Sequence, residues 1–461
     1  MIQFFRVFIP ANVFALLVSE IVLTYTCYLL ATFIVLEVDP QIFLSDNNGW
    51  IRIAIVVACY AVIIYFYDLY TQFRIKSKVL LFQQIGVVVG ITFLLQALLS
   101  YLGGQDLILP TWLMITGSAL AIVLLPSWRI FYSAIALKAV GSERVVFVGT
   151  SSLVQEIVQH AVEHPEAGIV PIGYLDDGEA GRQVPGGKVL GKILDLEEVV
   201  KAWKPDRIVV EMSEHRAHLP VSQLRELNIA GVRIEDALTA YEATFGRIST
   251  RELRPSQLIF STEFEPNPNR VTLRSMYSVA IGVVAIIVTS PIMLLAAILV
   301  RLTSSGPAIY REQRVGEKDV PFTLYKFRSM RDKEDPRATW DQKDSPRVTP
   351  VGKWLRRLRF DELPQLFNVL KGEMSIVGPR PERPEFVNEL EKSIPFYRQR
   401  HCVKPGITGW AQINLRRVDA PEDTIAKLEY DLYYIKHLAP ALDAYIMLHT
   451  VKMMLLSWRE P

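Results

Sequence analysis

The stretch MYSVAIGVVAIIVTSPIMLLAAILV, from Met276 to Val300, decides how this chain is arranged. It runs for about 25 residues without a charge, long enough for a helix to cross a bilayer. Its flanks argue against a simple crossing. Arg270 and Arg274 precede it and Arg301, Arg311, Arg314 and Lys318 follow, so both ends meet the positive-inside rule equally. At its centre stands Ser290-Pro291, where proline removes a backbone donor and collides with the carbonyl of Ile287, while serine can cap part of the break. The pattern predicts a re-entrant helix over 276–300 that bends at Ser290-Pro291 and returns to the same face. A proline-kinked crossing helix is the alternative.

Toward the N-terminus the apolar character continues in blocks. Hydrophobic residues make up 50% of the 461 and mean hydropathy is +0.23, greasier than a soluble chain with 21% charged residues requires. Ala11–Leu36, Trp50–Tyr67, Val79–Leu102 and Ile108–Leu125 each have the length of a transmembrane helix. Arg6, the group Arg74, Lys76 and Lys78, and the group Arg129, Lys138 and Arg144 mark the cytoplasmic ends, while the turns holding Glu37 and Asp106 face outside. Glu20 lies inside the first span, either as a functional acid or as a hydrogen-bonded acid at a helix interface. Fifty Lys and Arg against 48 Asp and Glu leave a net charge of +2, which gives no basic field for nucleic acid. Three cysteines, Cys27, Cys59 and Cys402, exclude a disulfide framework and a cysteine-rich zinc site.

Between residues 140 and 262 short β-branched runs alternate with helical periodicity. Arg144–Val148, Ile169–Tyr174, Arg207–Glu211 and Val232–Ile234 read as strands of a parallel, Rossmann-like sheet. Gly149-Thr150-Ser151-Ser152 stands where a dinucleotide fingerprint would, with one of its three glycines, and Asp176 and Asp177 follow at ribose-contact distance in sequence. The missing glycines favour a regulatory or dimerising domain over a nucleotide site. The segment 263–271, with Pro266 and Pro268, reads as a linker.

After the long apolar stretch, basic residues gather: Arg311, Arg314, Lys318, Lys326, Arg328, Arg331 and Lys333 suit either anionic headgroups or substrate phosphates. Then comes Arg356-Arg357-Leu358-Arg359-Phe360-Asp361-Glu362-Leu363-Pro364-Gln365. One reading makes Asp361 the cap of a helix running to Leu370 and stopped by Gly372. The other uses a carboxylate at a helix start among arginines to attack phosphorus. Arg380, between Pro379 and Pro381, is stiffened by two fixed φ angles for gripping a phosphate. Lys404-Pro405-Gly406-Ile407-Thr408-Gly409-Trp410 ends in a ring able to stack on a base. No P-loop, metal-type His/Cys spacing or Ser-His-Asp order occurs in this third.

These motifs carry a resemblance. Residues 272–461 resemble the bacterial sugar transferase family, the polyprenyl-phosphate hexose-1-phosphate transferases that initiate cell-surface polysaccharides. The match lies in Ser290-Pro291, Arg314-Val315-Gly316, Lys326–Met330, Asp361–Gln365, Val377–Pro381 and Pro405–Trp410, in that order. With the preceding spans and α/β segment the chain resembles the long, monotopic phosphoglycosyl transferase form. The resemblance implies that Asp361 is the nucleophile taking a hexose 1-phosphate from a UDP-sugar, with release of UMP, before undecaprenyl phosphate accepts it. It implies that Glu362 assists by positioning Mg²⁺ or moving a proton, the two acids being the metal's ligands, and that Lys326, Arg328 and Arg380 surround the phosphates. Glu317-Lys318-Asp319 and Asn414-Leu415-Arg416-Arg417 depart from the glycine-containing turns usual there.

The expected architecture is four transmembrane helices over 1–139, a Rossmann-like cytoplasmic α/β domain over 140–262, a linker over 263–271, and a mixed, mainly helical catalytic domain over 272–461. The protein would work as a homodimer among membrane lipids, its catalytic domain on the cytoplasmic face of the bacterial inner membrane, and would start exopolysaccharide, capsule or O-antigen synthesis. A rival class is a nucleotide-responsive membrane scaffold without catalysis, for which an intact glycine fingerprint is lacking. A membrane-anchored dehydratase or epimerase would need Tyr-x-x-x-Lys within 140–262, and none occurs.

Overall fold

A computed structural model describes residues 2–4, 7–9, 11–36, 39–46, 48–66, 78–101, 109–139, 143–165, 168–178, 181–211, 220–253, 264, 268–304, 306–330, 348–415 and 421–456. Arg6, Glu37, Arg74, Lys76, Asp106, Pro266, Arg331, Lys333, Arg416 and Arg417, all used in the sequence reading, lie outside these. The chain forms two compact units, one ending at Ala237 and one running from Leu238.

In the first unit the apolar blocks are helices: α1 (Ala11–Val35), α2 (Gly49–Phe66), α3 (Lys78–Tyr101) and α4 (Thr111–Ala139). Val13–Val35, Leu81–Leu98 and Thr111–Tyr132 are long and apolar enough to cross a membrane, and Gly49–Ile64 is a shorter apolar helix. Small residues bring α1 and α4 together: the Tyr28 ring fills the space a side chain at Gly117 would need, and the Tyr28 and Ser118 hydroxyls share a 3.0 Å hydrogen bond. Arg129, expected in the loop after the fourth span, lies instead inside α4, because that helix continues through Pro126 to Ala139. Its guanidinium is buried and donates to the Glu20 carboxylate at 2.5 and 3.1 Å. Glu20 is therefore the hydrogen-bonded acid of a helix interface. Glu20→Gln should remove the carboxylate charge that faces buried Arg129 and lower stability by about 3–5 kcal/mol, whereas the double change Glu20→Leu with Arg129→Leu should stay near the parent. Thermal unfolding in detergent measures both.

The same unit carries a six-stranded mixed sheet. Its strands are β1 (Glu143–Val148), β2 (Ile169–Leu175), β3 (Gln183–Val184), β4 (Gly187–Gly191), β5 (Arg207–Val210) and β6 (Arg233–Asp236), in the order β3-β4-β2-β1-β5-β6. All pairs are parallel except β3–β4. The four strands expected from β-branched runs are present. The pair β3–β4 was not legible, because Pro185, Gly186 and Gly187 interrupt any alternation. Helices α5 (Ser152–Glu163), α6 (Leu196–Trp203) and α7 (Val221–Ile229) lie between its strands in the chain. Val146, Val148, Leu175, Ile208 and Val210 form the sheet's buried core with Ile193 and Leu196.

The second compact unit begins at Leu238. From Leu238 onward, helix α8 (Ala237–Phe245) and its extension pack with the C-terminal unit, where Ile248, Leu253 and Phe264 join the core of Val387, Tyr397, Leu428 and Leu432. Glu429 accepts from Thr250 N–H at 3.0 Å and Glu242 pairs with Lys436 at 2.9 Å. Trp410, read as a ring for stacking on a base, is buried in this contact. It stacks on Tyr433 and donates its indole N–H to the Gly246 carbonyl at 2.7 Å, so no face is open to a ligand.

Helix α9 (Pro268–Thr303) begins inside the expected linker and runs through Pro291 without leaving helical conformation. Ser290 makes this possible: its hydroxyl donates to the Ile287 carbonyl at 2.8 Å, the acceptor that proline leaves without a backbone partner. Both halves of α9 pack on one body. Before Pro291, Ser278 bonds Ser375 at 2.7 Å, Arg274 donates to the Val377 carbonyl, and Gly282 lies against Val369. After it, Met293, Ala296, Ala297 and Val300 pack with Phe327 and Leu355. The opposite face, including Val284, Ile287, Val288, Leu294 and Leu295, is exposed.

The remaining elements are a hairpin of β7 (Ile309–Val315) and β8 (Pro321–Phe327), helix α10 (Pro350–Arg357), a 3₁₀ turn over Phe360–Gln365 leading into the one-turn helix α11 (Leu366–Leu370), and two parallel strands, β9 (Ser375–Val377) and β10 (Gly406–Thr408). Helices α12 (Pro384–Ser393), α13 (Trp410–Asn414), α14 (Pro421–Lys436) and α15 (Pro440–Leu456) complete the unit.

Candidate active site

The 3₁₀ turn carrying Asp361 and Glu362 starts from Arg359, whose φ of 56° is left-handed, a conformation costing a non-glycine residue about 1–3 kcal/mol. No side chain caps the turn, so the capping reading of Asp361 does not hold. Beneath it Asn368 is fully buried: its amide donates to Thr323 O and to Glu373, each at 2.7 Å, while its carbonyl accepts from Tyr325 N–H at 3.1 Å. Asn368 thereby fastens the Asp361 turn beside strand β8, which bears Lys326.

Three cations surround Glu362. Arg380 donates to its Oε1 at 2.9 Å, Lys326 Nζ lies 4.0 Å from the same oxygen, and Arg359 lies 3.7 Å from Oε2. Burial alone would raise the Glu362 pKa, but Arg380, Lys326 and Arg359 outweigh it and hold the carboxyl at about 2. Lys326 is pulled down, first by burial and then by Arg380. Asp361 is half-buried and makes no hydrogen bond or ion pair among the described residues. Burial, then the Glu362 charge, pushes its pKa up to about 6. Two adjacent carboxylates are thus driven apart: one permanently charged and clamped, one free and more basic. Leu363, Leu366, Ile407 and Met453 wall an apolar pocket bordering Glu362 and Arg359.

Arg380 is itself braced. Arg400, buried, donates to the Arg380 carbonyl at 2.9 Å, to Tyr397 Oη at 2.8 Å, and pairs with buried Asp431 at 2.8 Å. Arg314 donates to the Pro381 carbonyl at 2.9 Å, and Lys427 pairs with Glu382. Spacing gave no signal for Arg400, Asp431 or Asn368, since each acts on a partner remote in sequence. Arg400→Met should strand Asp431 and cost about 3–5 kcal/mol. Arg400→Lys keeps the charge but cannot span both partners. It should lower kcat by up to about 100-fold with KM little changed and the circular dichroism intact.

Of the residues singled out in the sequence, Asp361, Glu362, Lys326 and Arg380 converge. Arg328 does not join them; it lines a separate cavity with Arg301 and Arg311. Ser290 and Pro291 lie on the exposed side of α9. No group of three or more His, Cys, Asp or Glu suited to a metal occurs among the described residues. Magnesium needs fewer, since it binds through one or two carboxylates plus substrate phosphates. Asp361 fits that use because its oxygens are free, whereas Glu362's are occupied by cations.

The degenerate glycine loop of the sheet domain is closed from within. Ser151, at the start of helix α5 (Ser152–Glu163), donates its N–H to Glu211 Oε2 at 3.2 Å, and a side chain at Gly149 would strike the same carboxylate. An internal anion stands at the helix N-terminus where a pyrophosphate would bind.

Residues 269–457 match the profile described as bacterial sugar transferase. The chain is 33% identical over 338 residues to the UDP-glucose:undecaprenyl-phosphate glucose-1-phosphate transferase of Xanthomonas campestris pv. campestris, covering 70% of this chain and 68% of the relative. It is 33% identical over 316 residues to the protein of that name in Escherichia coli (strain K12), covering 67% and 66%. With the UDP-N-acetylgalactosamine-undecaprenyl-phosphate N-acetylgalactosaminephosphotransferase of Aeromonas hydrophila it shares 40% identity over 240 residues, 52% of this chain and 53% of that protein. The matched region thus spans about half to two thirds of these relatives.

Proposed function

This chain belongs to the bacterial sugar transferase family, and we propose that it transfers a hexose 1-phosphate from a UDP-sugar to undecaprenyl phosphate, initiating synthesis of a cell-surface polysaccharide. The observation that carries this reading is the unpaired Asp361 carboxylate beside the clamped Glu362–Arg380–Lys326 cluster. The relatives' names supply both substrate classes, a sugar nucleotide and a polyprenyl phosphate.

In the proposed reaction an Asp361 oxygen attacks the phosphorus bearing the sugar. An acyl phosphate bond forms as the bridge to the uridine phosphate breaks, and UMP leaves with the electron pair. An oxygen of undecaprenyl phosphate then attacks the same phosphorus and returns Asp361 as carboxylate, leaving sugar-diphosphate-undecaprenol. Lys326 and Arg380 neutralise charge on the phosphoryl oxygens, and Glu362 keeps Arg380 aimed at them. Mg²⁺, held by Asp361 and the diphosphate with Glu362 beside it, would supply further charge neutralisation. The apolar pocket beside Glu362 suits an acceptor with an isoprenoid tail. Protein in detergent with undecaprenyl phosphate and a panel of UDP-sugars should release UMP for one sugar class; no release with any UDP-sugar would defeat the reading.

The sheet domain reads as a Rossmann-like module that holds no dinucleotide, supported by its strand order and by Glu211 in the phosphate position. It serves regulation or pairing of two copies rather than chemistry.

The re-entrant reading of α9 draws support from its packing. A straight helix of 36 residues would span about 54 Å, yet residues on both sides of Pro291 pack on one charged body that cannot enter lipid. Both ends therefore lie on the cytoplasmic side of the inner membrane, where UDP-sugars are found. Cysteines introduced at Arg270 and at Lys318 should both resist an impermeant reagent in intact cells, and labelling of the second alone would mean a full crossing.

A further inference from the structure

We propose that the cavity at the C-terminal end of α9 is a second anion site, distinct from the Asp361 cluster, and that it holds the phosphate of a membrane lipid. The inference rests on α9 lying in the bilayer, as proposed above. Arg301, Arg311 and Arg328 line this cavity with Tyr310, and no acid is among its described lining residues.

The arginines are held in place by the local fold. Arg301 donates to the Gly306 carbonyl at 3.0 Å. Gly306 has φ 106°, a backbone conformation that glycine adopts without strain, and it lies directly against the Arg328 guanidinium. Arg328 is buried, its strand end fixed by its N–H donating to Ala308 O at 2.9 Å. Arg311 is anchored over the Tyr325 ring, 6.0 Å from its centroid.

The adjoining helix surface identifies the kind of anion. Leu294 and Ile298 lie two turns and one turn before Arg301 on the same helical face, and both are exposed, at 65% and 48%. A phosphate in the cavity would lay its apolar chain along this stripe, an arrangement that fits a lipid and leaves a free phosphate with half a site. A bulk anionic phospholipid supplies this chemistry, since the acceptor's phosphate must reach Asp361 and its tail is placed in the pocket beside Glu362.

Native mass spectrometry of the full chain in detergent, with added lipid, tests the proposal. The parent should retain phosphatidylglycerol in preference to zwitterionic phosphatidylcholine. Arg301→Gln with Arg311→Gln should weaken retention on the order of 30-fold, from about 1 kcal/mol per arginine. Both residues are exposed, so the fold should tolerate their loss. Ile298→Asn, which leaves all three arginines in place, should weaken retention through the chain alone. Phosphatidylglycerol should resist displacement by equimolar undecaprenyl phosphate; displacement would place the acceptor in this cavity and overturn the assignment to bulk lipid. Equal retention by parent and double variant, or inorganic phosphate competing as well as the lipids, overturns it. Asp361→Asn should retain lipid like the parent, so a failure of the transfer chemistry leaves this result standing.

Discussion

Asp361→Asn should release UMP at a rate lower by roughly 10⁴-fold or more, the scale seen when a covalent nucleophile is removed. The variant is nearly isosteric, and because Asp361 caps no helix and makes no ion pair among the described residues, its loss strands no partner. It should fold, insert and bind UDP-sugar. In the parent, UDP-sugar without lipid acceptor should give at most about one UMP per site and leave phosphosugar on the peptide containing Asp361. Turnover by Asp361→Asn near the parent rate would remove the nucleophile assignment, and no adduct on rapid quenching would mean direct transfer between bound substrates. The pH profile adds a second readout. The nucleophile is the ionised form, and burial with Glu362 raises its pKa to about 6, so kcat/KM should be full above that value and fall as pH drops through it. A bound cation would lower this limb. Lys326→Gln removes a charge that opposes the rise and should move it upward. Glu362, held at about 2, gives no limb in this range.

Arg380→Gln should lower kcat/KM by about 10²–10³, the usual cost of deleting a donor aimed at developing oxyanion charge. The loss has two parts. One phosphate contact disappears, and Glu362 loses its 2.9 Å partner while remaining buried. With Arg380 gone, burial pulls the Glu362 pKa up from about 2, and its weakened charge disturbs the spacing between the two acids. Arg380→Lys should recover only part, because a point charge cannot replace the planar guanidinium fork, although the backbone carbonyl there still accepts from Arg400. Single-turnover UMP release across pH separates the two parts: lost phosphate binding lowers the rate at every pH, whereas a raised Glu362 pKa adds an acid limb. Parent-like activity in Arg380→Gln would place the phosphate elsewhere.

Apolar length marked helices α1 to α4 and α9 in advance, because a bilayer demands about 20 apolar residues whatever surrounds them. β-branched runs likewise marked the four main strands, which pair in parallel along the sheet. The acids and bases of the site were also legible, as Asp361-Glu362, Lys326 and Arg380 sit in short motifs of unusual chemistry. Tertiary structure alone decided which of those bases meet the acids. Lys326 and Arg328 are two residues apart in sequence, yet the first reaches Glu362 and the second turns to Gly306 and Arg301, because the strand ends between them. It also decided that Arg129 is a buried partner of Glu20 rather than a loop charge, and that Trp410 is core rather than a ligand platform. Arg400, Asp431 and Asn368 carried no local signal. Their roles come from hydrogen bonds to carbonyls and amides far away in the chain, and such pairings exist only once the elements have packed.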